Sequence, residues 1–272
     1  MTGTESPLRR IDTSRPHPAR VYDWLLGGKD NYPVDEELGR QITGFDENAA
    51  HTARSNRYFM HRATRWLAQE AGVRQYLDIG TGIPTEPNLH QIAQATAPDA
   101  RIVYVDNDPI VLAHAGALLR GTDEGMTEYI QADARDTGAI LEQASRVLDF
   151  ESPIALSLVA LLHFVPDESG AYDLVSDLVN ALPAGSYVAL SMMTADFEPE
   201  AVARGVQMYA AGGLSLVPRP LAGVVRFFEG LELVDPGVVS LTRWRPDLAV
   251  DEDTPPGDAP VSLYGGVARK VS

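Results

Sequence analysis

The run Gln75 to Thr85, Q-Y-L-D-I-G-T-G-I-P-T, constrains this chain more than any other stretch. A short apolar segment (Tyr76, Leu77, Ile79) enters two glycines, Gly80 and Gly82, and leaves into helical spacing, which reads as strand, glycine turn and helix. Glycines suit such a turn because the backbone bends at φ values that a Cβ resists, and because bare main chain lets a ligand lie against it. Arg101 to Asp106, R-I-V-Y-V-D, supplies a second short buried strand ending in an acid. From that position a carboxylate can grip a ribose diol. A buried carboxylate is costly without a partner, so Asp106 is the strongest candidate for ligand contact. Asn107 falls beside the adenine or ribose, and Asp108 suits the cap of a helix opened by Pro109.

Two features select the nucleotide. In the dinucleotide fingerprint a third glycine permits close packing and the helix N-terminus holds a pyrophosphate. Here Pro84 replaces that glycine, and Asp78 and Glu86 flank the turn. Like charge disfavours a pyrophosphate, and with it an NAD-dependent oxidoreductase. S-adenosylmethionine has a ribose diol, no phosphate, and sulfonium and ammonium cations that these carboxylates would attract.

D-I-G-T-G at Asp78 to Gly82 resembles motif I of the class I S-adenosylmethionine-dependent methyltransferases, V-Y-V-D-N-D at Val103 to Asp108 motif II, and Q-A-D-A-R-D at Gln131 to Asp136 motif III. This resemblance covers residue 73 to the C-terminus. The stretch R-V-Y-D-W-L-L-G-G-K-D-N-Y, Arg20 to Tyr32, further resembles a family of actinobacterial S-adenosyl methyltransferases that join such a leader to this core. The resemblance implies S-adenosylmethionine as cofactor and S-adenosylhomocysteine as product. It also implies a doubly wound, seven-stranded, mostly parallel sheet in the order 3-2-1-4-5-7-6, with the seventh strand antiparallel. The implied cofactor seat is Asp78, Gly80, Thr81, Gly82, Asp106, Asn107, Asp133, Ala134 and Ser157, with Asp133 accepting from the adenine amino group.

The rest of the pattern agrees with an α/β chain. Residues 1–72 read as a helical leader, with helices over Pro18–Leu26, Pro33–Thr43 and Asn48–Gln69. Residues 73–272 read as the core. Strands are expected at Gln75–Ile79, Ile102–Asp106, Thr127–Gln131, Ile154–Val159, Tyr187–Met192, Leu231–Val239 and Leu263–Val271. Helices are expected between them at Glu86–Ala95 (capped by Thr85), Pro109–Leu119, Gly138–Val147, Glu168–Ala181, Pro199–Tyr209 and Leu221–Phe228. Asp247–Pro260 reads as an acidic, proline-rich loop.

A net charge of −16 argues against nucleic acid as substrate, since polyphosphate binding rests on basic surface, and favours a small molecule. The absence of cysteine excludes disulfides, thiolate metal sites and cysteine nucleophiles. No apolar run suits a membrane span or a signal peptide, so a cytoplasmic protein is expected. The histidines His17, His51, His61, His90 and His114 show no metal-ligand spacing.

After the fourth strand, S-L-V-A-L-L-H-F-V-P-D lacks the Asp/Asn-Pro-Pro-aromatic signature of nucleic-acid amine methylases. It resembles the corresponding segment of small-molecule O-methyltransferases, in which a histidine with an acid four residues on deprotonates a hydroxyl. His163 and Asp167 keep that spacing, and an imidazole with a pKa near 6.5 suits a base. The alternative for His163 is a packed or capping residue. Met192, Met193 and Thr194 fall where substrate should sit. In the leader, Arg20, Tyr22, Asp23, Gly28, Lys29 and Asn31 are expected to close over the cofactor as a lid hinged at Gly27-Gly28, with Arg20 or Lys29 on its carboxylate and Asp23 on its ammonium. A cofactor-binding protein without catalysis stays open as the second class.

Overall fold

The computed structural model describes residues 12–111, 120–250 and 261–272. Its framework is an eight-stranded sheet of β1 (Gln75–Ile79), β2 (Arg101–Asp106), β3 (Met126–Gln131), β4 (Ala155–Val159), β5 (Tyr187–Met193), β6 (Glu232–Leu233), β7 (Val239–Ser240) and β8 (Leu263–Arg269). The order is β3-β2-β1-β4-β5-β8-β6, with β7 also paired to β8. The first five strands are parallel, and β8 runs antiparallel to β5, β6 and β7. All of β1 is buried, as its apolar run requires of a parallel strand covered on both faces.

Alternate side chains point to opposite faces, so each strand feeds two cores. On one face Leu77, Ile79, Val103, Leu156, Leu158 and Leu190 pack against α5 (Thr137–Ala144) and α6 (Ala171–Ala181). On the other, Tyr76, Ile102, Tyr104 and Val267 pack against α3 (Ala49–Gln69), α4 (Leu89–Thr96) and Trp244. The helix α3 thus packs as a layer on the sheet, its Phe59, Ala63 and Leu67 in one cluster with residues from beyond position 72. Phe59 and Trp244, both fully buried, meet edge to face with centroids 5.5 Å apart. Buried Arg62 donates from Nε to the Trp244 carbonyl at 2.9 Å and from Nη2 to that of Leu241 at 2.7 Å. The remaining leader helices, α1 (Pro18–Leu25) and α2 (Pro33–Thr43), form a smaller cluster in which Val21, Leu38 and Ile42 pack with Tyr209 and Leu216. Tyr209 lies on α7 (Pro199–Ala211).

Four expectations are corrected. The single strand expected at Leu231–Val239 is two short strands, because Val234-Asp235-Pro236-Gly237 turns between them with Gly237 at φ 83°. The sheet therefore has eight strands where seven are expected. The helix after the glycine turn starts at Leu89, capped by Asn88 in a reciprocal box with Gln91, so Thr85 caps nothing and Glu86 lies outside it. Gly170, at φ 80°, separates the one-turn helix Asp167–Ser169 from α6, where a continuous helix from Glu168 is expected. The helix Leu221–Arg226, α8, ends two residues short of its expected end. Most of the helix expected at Pro109–Leu119 and of the acidic loop lies outside the described residues.

Candidate active site

At the C-terminal ends of β1, β2 and β4 lies a cavity of about 530 Å³, within the roughly 300–1,000 Å³ range of small-molecule sites. Its floor is the turn after β1, where Gly80 and Gly82 take φ 77° and 68°. A Cβ on Gly80 would fall 2.7 Å from Leu161 Cδ1, so that position has neither the conformation nor the room for a side chain. The Gly82 N–H donates to Asp106 Oδ2 at 2.7 Å, which joins the turn to the end of β2.

Asp106 also accepts the Asp108 N–H on Oδ1 at 3.0 Å. Each carboxylate oxygen has capacity for a further donor. Burial pushes the Asp106 pKa up, while the Asp108 and Gly82 amides pull it back. Asp78, only 9 % exposed, is pushed up to about 6 by burial first, with the Asp106 charge adding to the rise. The Ser157 hydroxyl and the Arg57 guanidinium oppose that rise. Ser157 Oγ is itself buried without a well-formed hydrogen bond among the described residues.

Asp78, Gly80, Thr81, Gly82, Asp106, Asn107, Asp133, Ala134, Tyr22 and His163 all line the cavity. Asp133 pairs with Arg135 through Nε at 2.9 Å and Nη2 at 2.5 Å, and these bonds hold its pKa below the usual carboxylate range. Asp108 caps the helix after β2, accepting from Ile110 N at 3.0 Å.

The other leader residues lie elsewhere. Arg20 donates from Nε to Asp108 at 3.1 Å, and its Nη1 stands 3.5 Å from Asp35, so its charge is matched inside the fold. Asp23 accepts from Asp30 N at 3.0 Å and from Asn31 Nδ2 at 2.7 Å. A Cβ on Gly28 would fall 2.0 Å from Asp23 Oδ1. Asp23, Gly28 and Asn31 therefore build the turn that ends α1. Lys29 is exposed. Neither Lys29, Arg20 nor Asp23 is among the cavity's lining residues.

The expected His163–Asp167 pair is not formed. Asp167 binds Arg219 instead, accepting from Nε at 3.0 Å and also from Nη2. Arg219, 3 % exposed, further donates to the carbonyls of Leu162 at 3.0 Å and Val165 at 2.9 Å. It thereby pins the segment after β4 to the chain beyond β5. His163 accepts the Met193 N–H on Nδ1 at 3.4 Å and packs on Phe164 with centroids 4.4 Å apart. Burial first, then the Arg219 charge, pushes its pKa down to about 3. Such an imidazole is a weak base at neutral pH. His163→Ala is accordingly expected to cost stability, on the order of 1–3 kcal/mol, and to leave turnover per folded molecule unchanged. Thermal melts beside rate measurements check this, and a lost kcat at unchanged melting temperature would restore the base.

Arg57, on α3, is absent from the sequence reading. It lines the cavity, donates to the Thr85 carbonyl at 2.5 Å and the Pro87 carbonyl at 2.9 Å, and lies within electrostatic reach of Asp78. Burial holds its pKa below the ordinary value. A second unforeseen group is Asn56. The Ser191 hydroxyl donates to its Oδ1 at 2.5 Å, and its Nδ2 donates to Tyr22 Oη at 2.9 Å. Tyr22 Oη in turn donates to the Ala53 carbonyl at 2.8 Å, so one buried chain of bonds links α1, α3 and β5. Neither Arg57 nor Asn56 stands out from the other polar residues of α3.

Two buried carboxylates at the mouth of a glycine turn, on a sheet in this order, fit a class I S-adenosylmethionine-dependent methyltransferase. They suit that cofactor, since a ribose diol supplies donors to Asp106 and a cation relieves the raised Asp78. The chain belongs to the S-adenosyl methyltransferase family, whose model matches residues 4–271. It is similar to a DUF574 family protein from Streptomyces avermitilis, at 47% identity over 96% of this chain and 100% of that one, TM-score 0.89. It is also similar to a candidate methyltransferase from Thermobifida fusca, at 37% identity over 99% of this chain and 100% of that one, TM-score 0.86. The plantazolicin methyltransferase BpumL, solved with a desmethyl plantazolicin analog and S-adenosylhomocysteine, shares the fold at 14% identity over 93% of this chain and 95% of that one, TM-score 0.53. No curated protein matches the chain. The protein is thus an S-adenosylmethionine-dependent enzyme, and among its described residues no helix is long and apolar enough to cross a membrane.

Proposed function

We propose that the enzyme methylates a small, largely apolar acceptor held between the cofactor and the roof formed by α1, α2 and α7. One observation carries this reading: the cavity continues from the carboxylate pair into a chamber lined by Leu25, Ile42, Phe45, Phe164, Val202 and Leu214. A surface of net charge −16 supports it over a polyanionic substrate. Bound S-adenosylmethionine supplies an electrophilic methyl group on sulfonium sulfur. In this reading Asp106 takes the ribose diol, Asp78 the ammonium, and Arg57 the carboxylate in place of Arg20 or Lys29. Asn107, Asp133 and Ala134 border the adenine, with Ser157 behind Asp78.

In-line displacement depends on holding acceptor and methyl group in near-attack geometry, which can supply about 7–11 kcal/mol of the barrier. The apolar walls hold the acceptor and exclude water. O-methylation is the reading that the His163–Asp167 spacing favours, and its support shrinks with the loss of that pair. A hydroxyl acceptor would need its proton taken by another group.

Titration with S-adenosylmethionine, S-adenosylhomocysteine and NADH tests the cofactor seat, and binding of NADH alone would overturn it. The pH dependence is a sharper readout. Because the folded pKa of Asp78 is raised to about 6, its contribution to stability is fully present below the unfolded value of 3.8 and is lost as pH rises through about 6. A cation beside the carboxylate favours the ionised form. Affinity for S-adenosylmethionine is therefore expected to rise over the same interval, and Asp78→Asn to flatten the rise.

A further inference from the structure

The acceptor chamber holds one charged group that the fold does not neutralise. Asp46, in the turn between α2 and α3, lines the cavity and accepts the Asn48 N–H on Oδ1 at 2.9 Å. Among the described residues no arginine, lysine or histidine pairs with it. Glu198, just before the first residue of α7, stands near enough for its charge to push the Asp46 pKa up, although burial is the larger cause. Glu198 is held by two neutral donors, Asn48 Nδ2 at 3.4 Å and Ser262 Oγ at 2.9 Å, so its charge also stays unmatched. The arginines that line the cavity are committed at the cofactor end, Arg57 to the Thr85 and Pro87 carbonyls and Arg135 to Asp133.

A second observation is independent of the acids. Tyr209 lines the same chamber, is only 9 % exposed, and makes no side-chain hydrogen bond among the described residues. Its ring lies 5.8 Å from that of Phe164. With no partner among the described residues, that hydroxyl is open to a bound polar group. Around it Phe45, Phe164 and Tyr209 present aromatic surface, which attracts cations as well as hydrocarbon.

We propose that the acceptor is an apolar molecule bearing a protonated amine, with the ammonium on Asp46, the Tyr209 hydroxyl as a further acceptor for it, and the hydrocarbon body among Phe45, Phe164 and Tyr209. This rests on the methyltransferase reading above and names its substrate class. A carboxylate or phosphate acceptor would meet two like charges. A neutral alcohol would leave Asp46 desolvated without a counter-charge.

The test uses the full chain saturated with S-adenosylhomocysteine and titrated with phenethylamine, phenethyl alcohol and phenylacetate, three probes of similar shape and different charge. The amine is expected to bind about 10- to 150-fold more tightly than the other two, the range of a charge-assisted hydrogen bond. Asp46→Asn should erase that preference, and Tyr209→Phe should reduce it. Equal or tighter binding of the alcohol or the acid, absence of binding by all three, or a preference that survives both substitutions would overturn the proposal. The prior titration with S-adenosylhomocysteine separates the two failures. If that ligand does not bind, the cofactor seat is wrong; if it binds and the amine is not preferred, only the substrate class is wrong.

Discussion

Asp106→Ala is expected to weaken S-adenosylhomocysteine binding by about 10- to 150-fold, because charge-assisted hydrogen bonds contribute roughly 1.5–3 kcal/mol. The substitution removes the acceptor proposed for the ribose diol and also frees the Gly82 N–H, which Asp106 Oδ2 holds at 2.7 Å. Both losses act on one ligand, since Gly82 belongs to the turn on which the cofactor would lie. Calorimetry on the variant measures the loss, and circular dichroism shows whether the sheet survives. Unchanged affinity in a folded variant would remove Asp106 from the site. Asp106→Asn separates the two contributions: an amide oxygen can still accept from Gly82 but offers the diol no charge.

Phe59→Ala is expected to cost about 3–5 kcal/mol, the range for emptying a large aromatic from a core. Phe59 is fully buried against Trp244, in the cluster that covers one face of the sheet. If α3 is a layer of the sheet, far-UV dichroism and tryptophan fluorescence should report one shared transition at lower denaturant. Two separated transitions, with the strands surviving the loss of the leader, would show that residues 1–72 fold as a unit of their own.

Local signals carried much of this fold. The runs at Gln75–Ile79 and Arg101–Asp106 are legible as strands because they are short and mostly apolar, with Asp78 the one charge inside the first, and Gly80 and Gly82 turn at positive φ that side chains resist. The same local reading failed where spacing was right and partners were remote. Leu231–Val239 has the length of one strand, but Asp235-Pro236-Gly237 breaks it. His163 and Asp167 have the spacing of a base and its orienting acid, yet Arg219, more than fifty positions further on, takes Asp167 away. The helix at Asn48–Gln69 was legible as a helix, while its place as a core layer depends on Tyr76, Ile102 and Trp244, which are scattered along the chain. Arg57 was hidden for a related reason, being one of several arginines on α3 and distinguished only by Thr85 and Pro87 across the cavity. Local sequence thus locates the turn and the strand ends, whereas long-range pairing decides which side chains remain for chemistry.

The buried bonds from Tyr22 through Asn56 to Ser191 set a rule for building hybrids between members of this family. A hybrid that takes its first 72 residues from another parent brings its own groups at positions 22 and 56, but inherits Ser191 from the host. Ser191 is fully buried, and its hydroxyl also accepts the Ala160 N–H at 2.9 Å. A mismatched junction would therefore leave polar atoms without partners inside the protein, at about 1–3 kcal/mol each. A crossover at the apparent seam near Val73 cuts this circuit, whereas a graft that carries positions 22, 56, 160 and 191 together keeps it whole.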